Sequence, residues 1–199
     1  MSQIEKLAIR GIRAFSPDRE QAIEFESPLT MIVGANGCGK TTVRDSVHAI
    51  DATRLHLTMK WVVSFSISDA QVIECLKFGT TGQAPPGSAS GKAFVHDPKV
   101  TGVSEVKAQL KLRFKNYGGQ RMVVVRSMQL TQKKTTATFK QLDGVIRATK
   151  PDGSKNSYSQ KCGELDKTVP IMIGVSRAVL ESVIFCHQED SSWPLQEGP

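Results

Sequence analysis

Several function classes are excluded by what this chain has little of. Its 199 residues hold only four cysteines, Cys38, Cys75, Cys162 and Cys186. None are spaced C-x-x-C, so no zinc knuckle is written here, and reduced thiols in an intracellular protein are the expected state. No apolar run is long enough to span a membrane. The opening residues carry charge at Glu5, Lys6 and Arg10, which does not read as a cleavable signal. Internal repeats and sustained heptads are absent as well. Acidic residues are few, 19 against 26 lysines and arginines, for a net charge of +7. That balance is compatible with nucleic acid, although nucleotide binding or solubility would also account for it. What remains is 39% apolar and 23% charged, an ordinary composition for one domain with a sizeable core.

The stretch that organises the chain is Gly34-Ala35-Asn36-Gly37-Cys38-Gly39-Lys40-Thr41-Thr42, behind the apolar run Leu29–Val33. It reads as strand, glycine-rich loop and helix start, the G-x-x-x-x-G-K-T pattern of a phosphate-binding P-loop (Walker A). Glycines let successive backbone N–H groups converge on phosphate oxygens. The helix that follows points its positive end at the same place. Lys40 can reach the outer phosphates, and the Thr41 hydroxyl is a hard ligand suited to Mg²⁺.

Before the loop, residues 4–15 read as strand segments bent at Gly11, Ser16-Pro17-Asp18 as a turn and Ala22–Phe25 as a second strand. After it, 43–57 can be helical, 59–67 is strand-like, and Val72–Phe78 is helical with Gly79 as its stop. Thr80–Gly91 reads as a loop. Val103–Phe114 alternates Val106, Ala108, Leu110, Leu112 and Phe114 with Lys107, Gln109, Lys111 and Arg113, so one strand face is core and the other basic. Asn116–Gly119 turns the chain into a strand over Arg121–Leu130. Phe139–Leu142 and Val145–Thr149 read as a hairpin about Asp143-Gly144, and Pro151–Gly153 as a turn. Cys162–Ile173 is a predicted helix ending at Gly174. Ser176 can cap a helix from Arg177 to about Phe185, before a polar loop over 186–194.

Four stretches together resemble one family. They are Ile4-Glu5-Lys6 with Gly11-Ile12-Arg13 and Phe15, the P-loop, Ala93–Val100, and Val183-Ile184-Phe185-Cys186-His187-Gln188-Glu189-Asp190. They are similar to the N-terminal half of the ATPase head in the eukaryotic Rad-fifty family, SMC-like ABC ATPases that work in double-strand-break repair with an Mre-eleven-type nuclease. The similarity covers the chain except for residues 43–71. It implies an α/β fold, the N-terminal half of an ABC-type P-loop head with antiparallel β hairpins. It also implies a Mg-ATP site. Asn36, Gly37, Gly39, Lys40, Thr41 and Thr42 would hold the phosphates. Gln188 would be the Q-loop glutamine and, with Thr41, would contact Mg²⁺. Arg13, Val95 and Asp97 would flank the nucleoside. Implied partners are a second head, the nuclease, DNA and the C-terminal half of the same head, in the nucleus and away from membranes.

Other family parts are missing. Walker B ends in Asp-Glu after apolar residues, whereas Val183-Ile184-Phe185 leads to Cys186 and His187. Tyr117-Gly118-Gly119-Gln120 imitates the L-S-G-G-Q signature but sits between two strands and reads as a hairpin turn. The family's hook zinc site has no cysteine pair here. The resemblance therefore implies a fragment ending near the Q-loop, without a general base and without turnover of its own. Two other readings are a different P-loop protein, such as a small kinase or another SMC-like ATPase, and a non-enzymatic DNA-binding module. The last would use Lys107, Lys111, Arg113, Lys115, Lys133, Lys134 and Lys140 on phosphates.

Residues 43–71 interrupt a helix that the family keeps continuous. Joining Thr42 to Val72 gives one amphipathic helix, and Val43 and Gln71 suit codons GT… and CAG at splice borders. The segment reads as a translated intron, the alternative being an inserted loop that must bury Trp61, Val62, Val63, Phe65 and Ile67. Sequencing of the mature transcript is expected to find codons 43–71 absent; a transcript that retains them in frame would establish the insertion instead.

Overall fold

Alternation along one strand decides the architecture. The computed structural model describes residues 2–27, 30, 69–85, 89–133, 136–149 and 155–185. In chain order the elements are β1 (Gln3–Arg10), β2 (Gln21–Glu24), α1 (Asp69–Thr81), a 3-10 turn (Ala89–Phe94), α2 (Pro98–Thr101), β3 (Glu105–Lys115), β4 (Arg121–Gln132), β5 (Ala137–Thr149), β6 (Lys155–Gln160), α3 (Cys162–Ile173) and α4 (Arg177–Val179). A single π-helical turn, Leu180–Ile184, continues α4. The strands form one antiparallel sheet in the order β2-β1-β3-β4-β5-β6.

Val106, Ala108, Leu110, Leu112 and Phe114 of β3 are all buried. They pair with Leu130, Met128, Arg126, Val124 and Met122 of β4, so both strands turn the same set of side chains inward. Val72, Cys75, Leu76 and Phe78 of α1, with Leu165, Val169 and Ile173 of α3, complete the core against that face. Burial pushes the Cys75 thiol far up, so it stays protonated. The opposite face of the sheet carries the charged residues.

One inward position is charged. Arg126 is 2% exposed. Its Nε donates to the Gly79 carbonyl at 3.0 Å, its Nη1 reaches Asp166 of α3 at 2.5 Å, and its guanidinium lies 5.6 Å from the Phe78 ring centre. Burial pulls its pKa down, and Asp166 opposes that shift. The arginine thereby ties β4 to both helices.

The expected α/β class with antiparallel hairpins is borne out, and several boundaries are corrected. The helix over 72–78 does not stop at Gly79 but runs to Thr81. Gly79 instead makes room for Leu110, whose Cδ2 would lie 2.9 Å from an added Cβ. Gly82, at φ +76, supplies the left-handed turn, and its N–H donates to Phe78 O. The loop expected over Thr80–Gly91 thus begins in α1 and ends inside the 3-10 turn. Asp143-Gly144 is not a hairpin turn. It is a bulge within one continuous β5, where three steps from Val145 to Leu142 face two from Val125 to Ser127. A side chain at Gly144 would press on Val125 O at 3.0 Å and on Leu165 at 3.1 Å. The strand β6 had no counterpart in the sequence reading. Tyr117-Gly118-Gly119 is a hairpin turn, as expected, with Gly119 at φ +81. The helix Cys162–Ile173 ends at Gly174 (φ +79), and Ser176 caps α4 through Val179 N, both as expected. The segments 43–57 and 59–67, the 151–153 turn and the 186–194 loop lie outside the described residues.

Because Arg126 is buried, removing its partner should cost more than removing the pair. Asp166→Ala is expected to lower stability by about 3 kcal/mol in chemical denaturation. Arg126→Met combined with Asp166→Ala should cost less than the single change; a single variant milder than the double would contradict this account of the core.

Candidate functional site

Of the residues expected to hold a nucleotide, the structure describes Arg13, Val95 and Asp97. Asn36, Gly37, Gly39, Lys40, Thr41, Thr42 and Gln188 lie outside the described residues. The three come together at one corner of the sheet although some 80 positions separate Arg13 from the others. Beyond the end of β1, Gly11 adopts φ +67, and a Cβ there would stand 2.8 Å from Lys107 O. Only glycine fits that approach. The bend lets Ile12 bridge to Val95, and His96 N–H donates to Gly11 O at 2.9 Å.

Arg13 follows in the left-handed region at φ +46, the single non-glycine among the described residues to do so. Such a conformation costs roughly 1–2 kcal/mol and persists where its surroundings over-determine it. Here Arg13 N–H donates to Phe94 O at 3.0 Å, and the His96 Nδ1 sits 2.5 Å from Arg13 O. The guanidinium then meets Glu74 of α1 at two points. Nη2 donates to Oε1 at 2.8 Å, and Nε lies 2.7 Å from Oε2. Phe94 packs on Phe78 of α1 with ring centres 5.1 Å apart, fixing the corner to that helix.

Val95 is buried, so at this corner it offers a ligand its backbone and not its side chain. Asp97 is exposed and caps α2, its Oδ1 accepting from Lys99 N at 2.9 Å. Glu74 and His96 were not singled out from the sequence. The one lay in a helix read as plain, and the other sat between two residues expected at the site. Among the described residues no cluster of His, Cys, Asp or Glu could hold a metal, and no described helix is long and apolar enough to cross a membrane.

The outer face of the sheet carries the basic residues expected to meet DNA, but several already have carboxylate partners. Glu5 is the extra residue of a bulge in β1. It lies 3.2 Å from Arg113 and Arg121 and 3.6 Å from Lys115. Lys111 pairs with Glu20 at 2.6 Å and Lys107 with Glu105 at 3.5 Å. Lys133, Lys140 and Arg147 are exposed; Lys134 lies outside the described residues. Arg121 and Arg147 join this face through strand register, and the sequence reading had not included them.

The family described as an AAA domain matches residues 6–50 and 72–198. DNA repair protein RAD50 of Dictyostelium discoideum is 45% identical over 199 residues, covering 100% of this chain and 13% of that relative. DNA repair protein RAD50 of Saccharomyces cerevisiae is 46% identical over 197 residues, covering 99% of this chain and 13% of the relative. The chain thus spans about 13% of the length of the curated relatives it matches. Both are of the family that the four stretches resemble, and that resemblance is borne out. A solved structure described under ATP-driven dimerization and DNA-stimulated activation of SMC ATPases aligns with a TM-score of 0.43 and 14% identity, covering 87% of this chain and 80% of that one.

The cap and any contact of Asp97 with a ligand can be separated. Asp97→Asn keeps a side-chain acceptor for Lys99 N and should leave the melting temperature nearly unchanged, whereas Asp97→Ala should cost about 1 kcal/mol. Equal losses in the two variants, measured by thermal unfolding, would contradict the capping role.

Proposed function

The chain belongs to the AAA domain family, and on that premise we propose that it is the ATP-binding half of a DNA double-strand-break repair ATPase. The observation that carries the reading is the corner where Arg13, the 94–97 segment and α1 meet. A guanidinium is held there against α1, and a strained backbone keeps it in place. A cation fixed in this way suits an anionic nucleotide. Asn36, Gly37, Gly39, Lys40, Thr41 and Thr42 would cradle the phosphates, and Arg13, Val95 and Asp97 would border the nucleoside. Thr41 and Gln188 would supply oxygen ligands to Mg²⁺. The magnesium would neutralise charge on the phosphates; the chain's own residues orient them.

In the intact protein, two heads would close on ATP and part after hydrolysis. That cycle would control DNA tethering and an Mre-eleven-type nuclease in the nucleus. The sequence holds no Walker B glutamate, so the chain by itself would bind nucleotide weakly or not at all and not turn it over. A C-terminal half would cover the apolar depression lined by Phe25, Phe114, Ile173, Leu180, Ile184 and Phe185. Exposure of Val183 and Ile184 beside it, both nearly half accessible, supports that placement. Residues 43–71 would be foreign to the domain; the family match breaks over 51–71, inside that segment, but includes 43–50. DNA would lie on the basic sheet face, displacing exposed carboxylate pairs that contribute little in water.

In the full-length protein, Lys40→Ala is expected to abolish binding of a fluorescent ATP analogue while leaving DNA binding in nucleotide-free buffer intact. Lys140→Glu with Arg147→Glu should do the reverse, and DNA affinity should fall steeply between about 50 and 200 mM salt. Undiminished nucleotide binding by Lys40→Ala would overturn the P-loop reading, and an unaltered protein that binds DNA but no nucleotide would favour a DNA-binding module.

A further inference from the structure

We propose that Glu74 is a positioning residue for the nucleotide: it holds the Arg13 guanidinium by one edge so that the other edge is presented to the bound nucleotide. The inference rests on the nucleotide-binding reading above and adds to it a residue that no motif marks.

The geometry is selective. Nη2 donates to Glu74 Oε1 at 2.8 Å, and Nε lies 2.7 Å from Oε2 as an ion contact without a hydrogen bond, so Glu74 sits at the side of the fork. One charge-assisted hydrogen bond and a close ion contact hold the guanidinium on that side. The end of the fork, with Nη1, has no partner among the described residues. An arginine restrained in this way can accept a second anion at its free end without first losing its rotamer freedom.

Both ends of the contact are themselves fixed. Arg13 owes its direction to the left-handed backbone, which Phe94 O and His96 pin from the far side. Glu74 is 13% exposed at the side chain and sits on α1 one residue before the fully buried Cys75, so its helix face cannot rotate. Arg13 keeps 30% exposure. A fold staple would not require a strained arginine, because an ordinary backbone could carry a pair between strand and helix. On the reading in which Val72 follows Thr42, Glu74 would stand in the first turns of the helix behind the P-loop, beside the phosphates.

A carboxylate near a phosphate also repels it, so the proposal makes a signed claim: the gain from orientation exceeds the repulsion. A double-mutant cycle in the full-length protein tests this, with affinity for a fluorescent ATP analogue and the melting temperature measured for each variant. Glu74→Ala should weaken binding about tenfold, the scale of one charge-assisted contact. Glu74→Gln keeps an acceptor and guards against a folding defect; it should fall between. Once Arg13→Ala is present, adding Glu74→Ala should change affinity little. Equal weakening in both backgrounds, or tighter binding by Glu74→Ala, would overturn the positioning role. If Arg13→Ala alone leaves affinity unchanged, the failure lies with the nucleotide reading of Arg13 on which the proposal stands, and the proposal falls with it.

Discussion

A buried cation needs partners, and in this domain Arg126 finds them through Nε and Nη1, tying both inner helices to the sheet, while its Nη2 has no hydrogen-bond partner among the described residues. It occupies a β4 position whose neighbours are apolar, and it finds its partners in α1 and α3. The Gly79 carbonyl is available because the helix runs on only to Thr81, leaving that oxygen near the helix end. Asp166 is available because α3 crosses beside Gly82, where any Cβ would collide with the carboxylate. Phe78 lies under the guanidinium and packs on Phe94 in turn. The chain of contacts that begins in the core therefore ends at the Phe94 carbonyl, which holds Arg13.

That continuity gives the candidate site its rigidity. Arg13 bears backbone strain at a surface corner, and strain of this kind persists only where the frame around it cannot relax. The frame here consists of Gly11 against β3, the Ile12–Val95 bridge, and α1 held from behind by Arg126. Two charges thus divide the labour on α1. Arg126 fixes the helix to the core, and Glu74 carries that fixed position out to the arginine at the edge. The outer sheet face follows a different logic. Its cations lie at the surface, several of them paired with carboxylates, and three of them gather on Glu5, whose side chain is only 13% exposed.

How far the sequence alone led depended on how local each determinant was. The β3–β4 hairpin was legible because its alternation is strict over Val106–Phe114 and its turn is glycine-rich. The helix Cys162–Ile173 was legible because Gly174 ends it within the same short window. Asp143-Gly144 misled because the pair is a common hairpin turn, and only packing on Leu165 and Val125 makes it a bulge. Gly79 misled for a similar reason, since its need for space comes from Leu110 and not from its own backbone. The edge strand β6 was invisible because Lys-Asn-Ser-Tyr-Ser-Gln has no apolar period; β5 pairs with it through the backbone. At the site, Arg13, Val95 and Asp97 came from the family resemblance. Glu74 did not, because an ion pair that spans 61 residues leaves no local trace.

The central claim is that the corner built by Gly11–Ser16 and Phe94–Asp97 borders bound nucleotide. Hydrogen exchange of the full-length protein, with and without Mg-ATP, tests it most directly. The account predicts that amides in these two short segments slow together on ATP addition, with the outer strands of the sheet unchanged. Unaltered exchange at both segments, under conditions where ATP is bound, would place the nucleotide elsewhere and contradict the account.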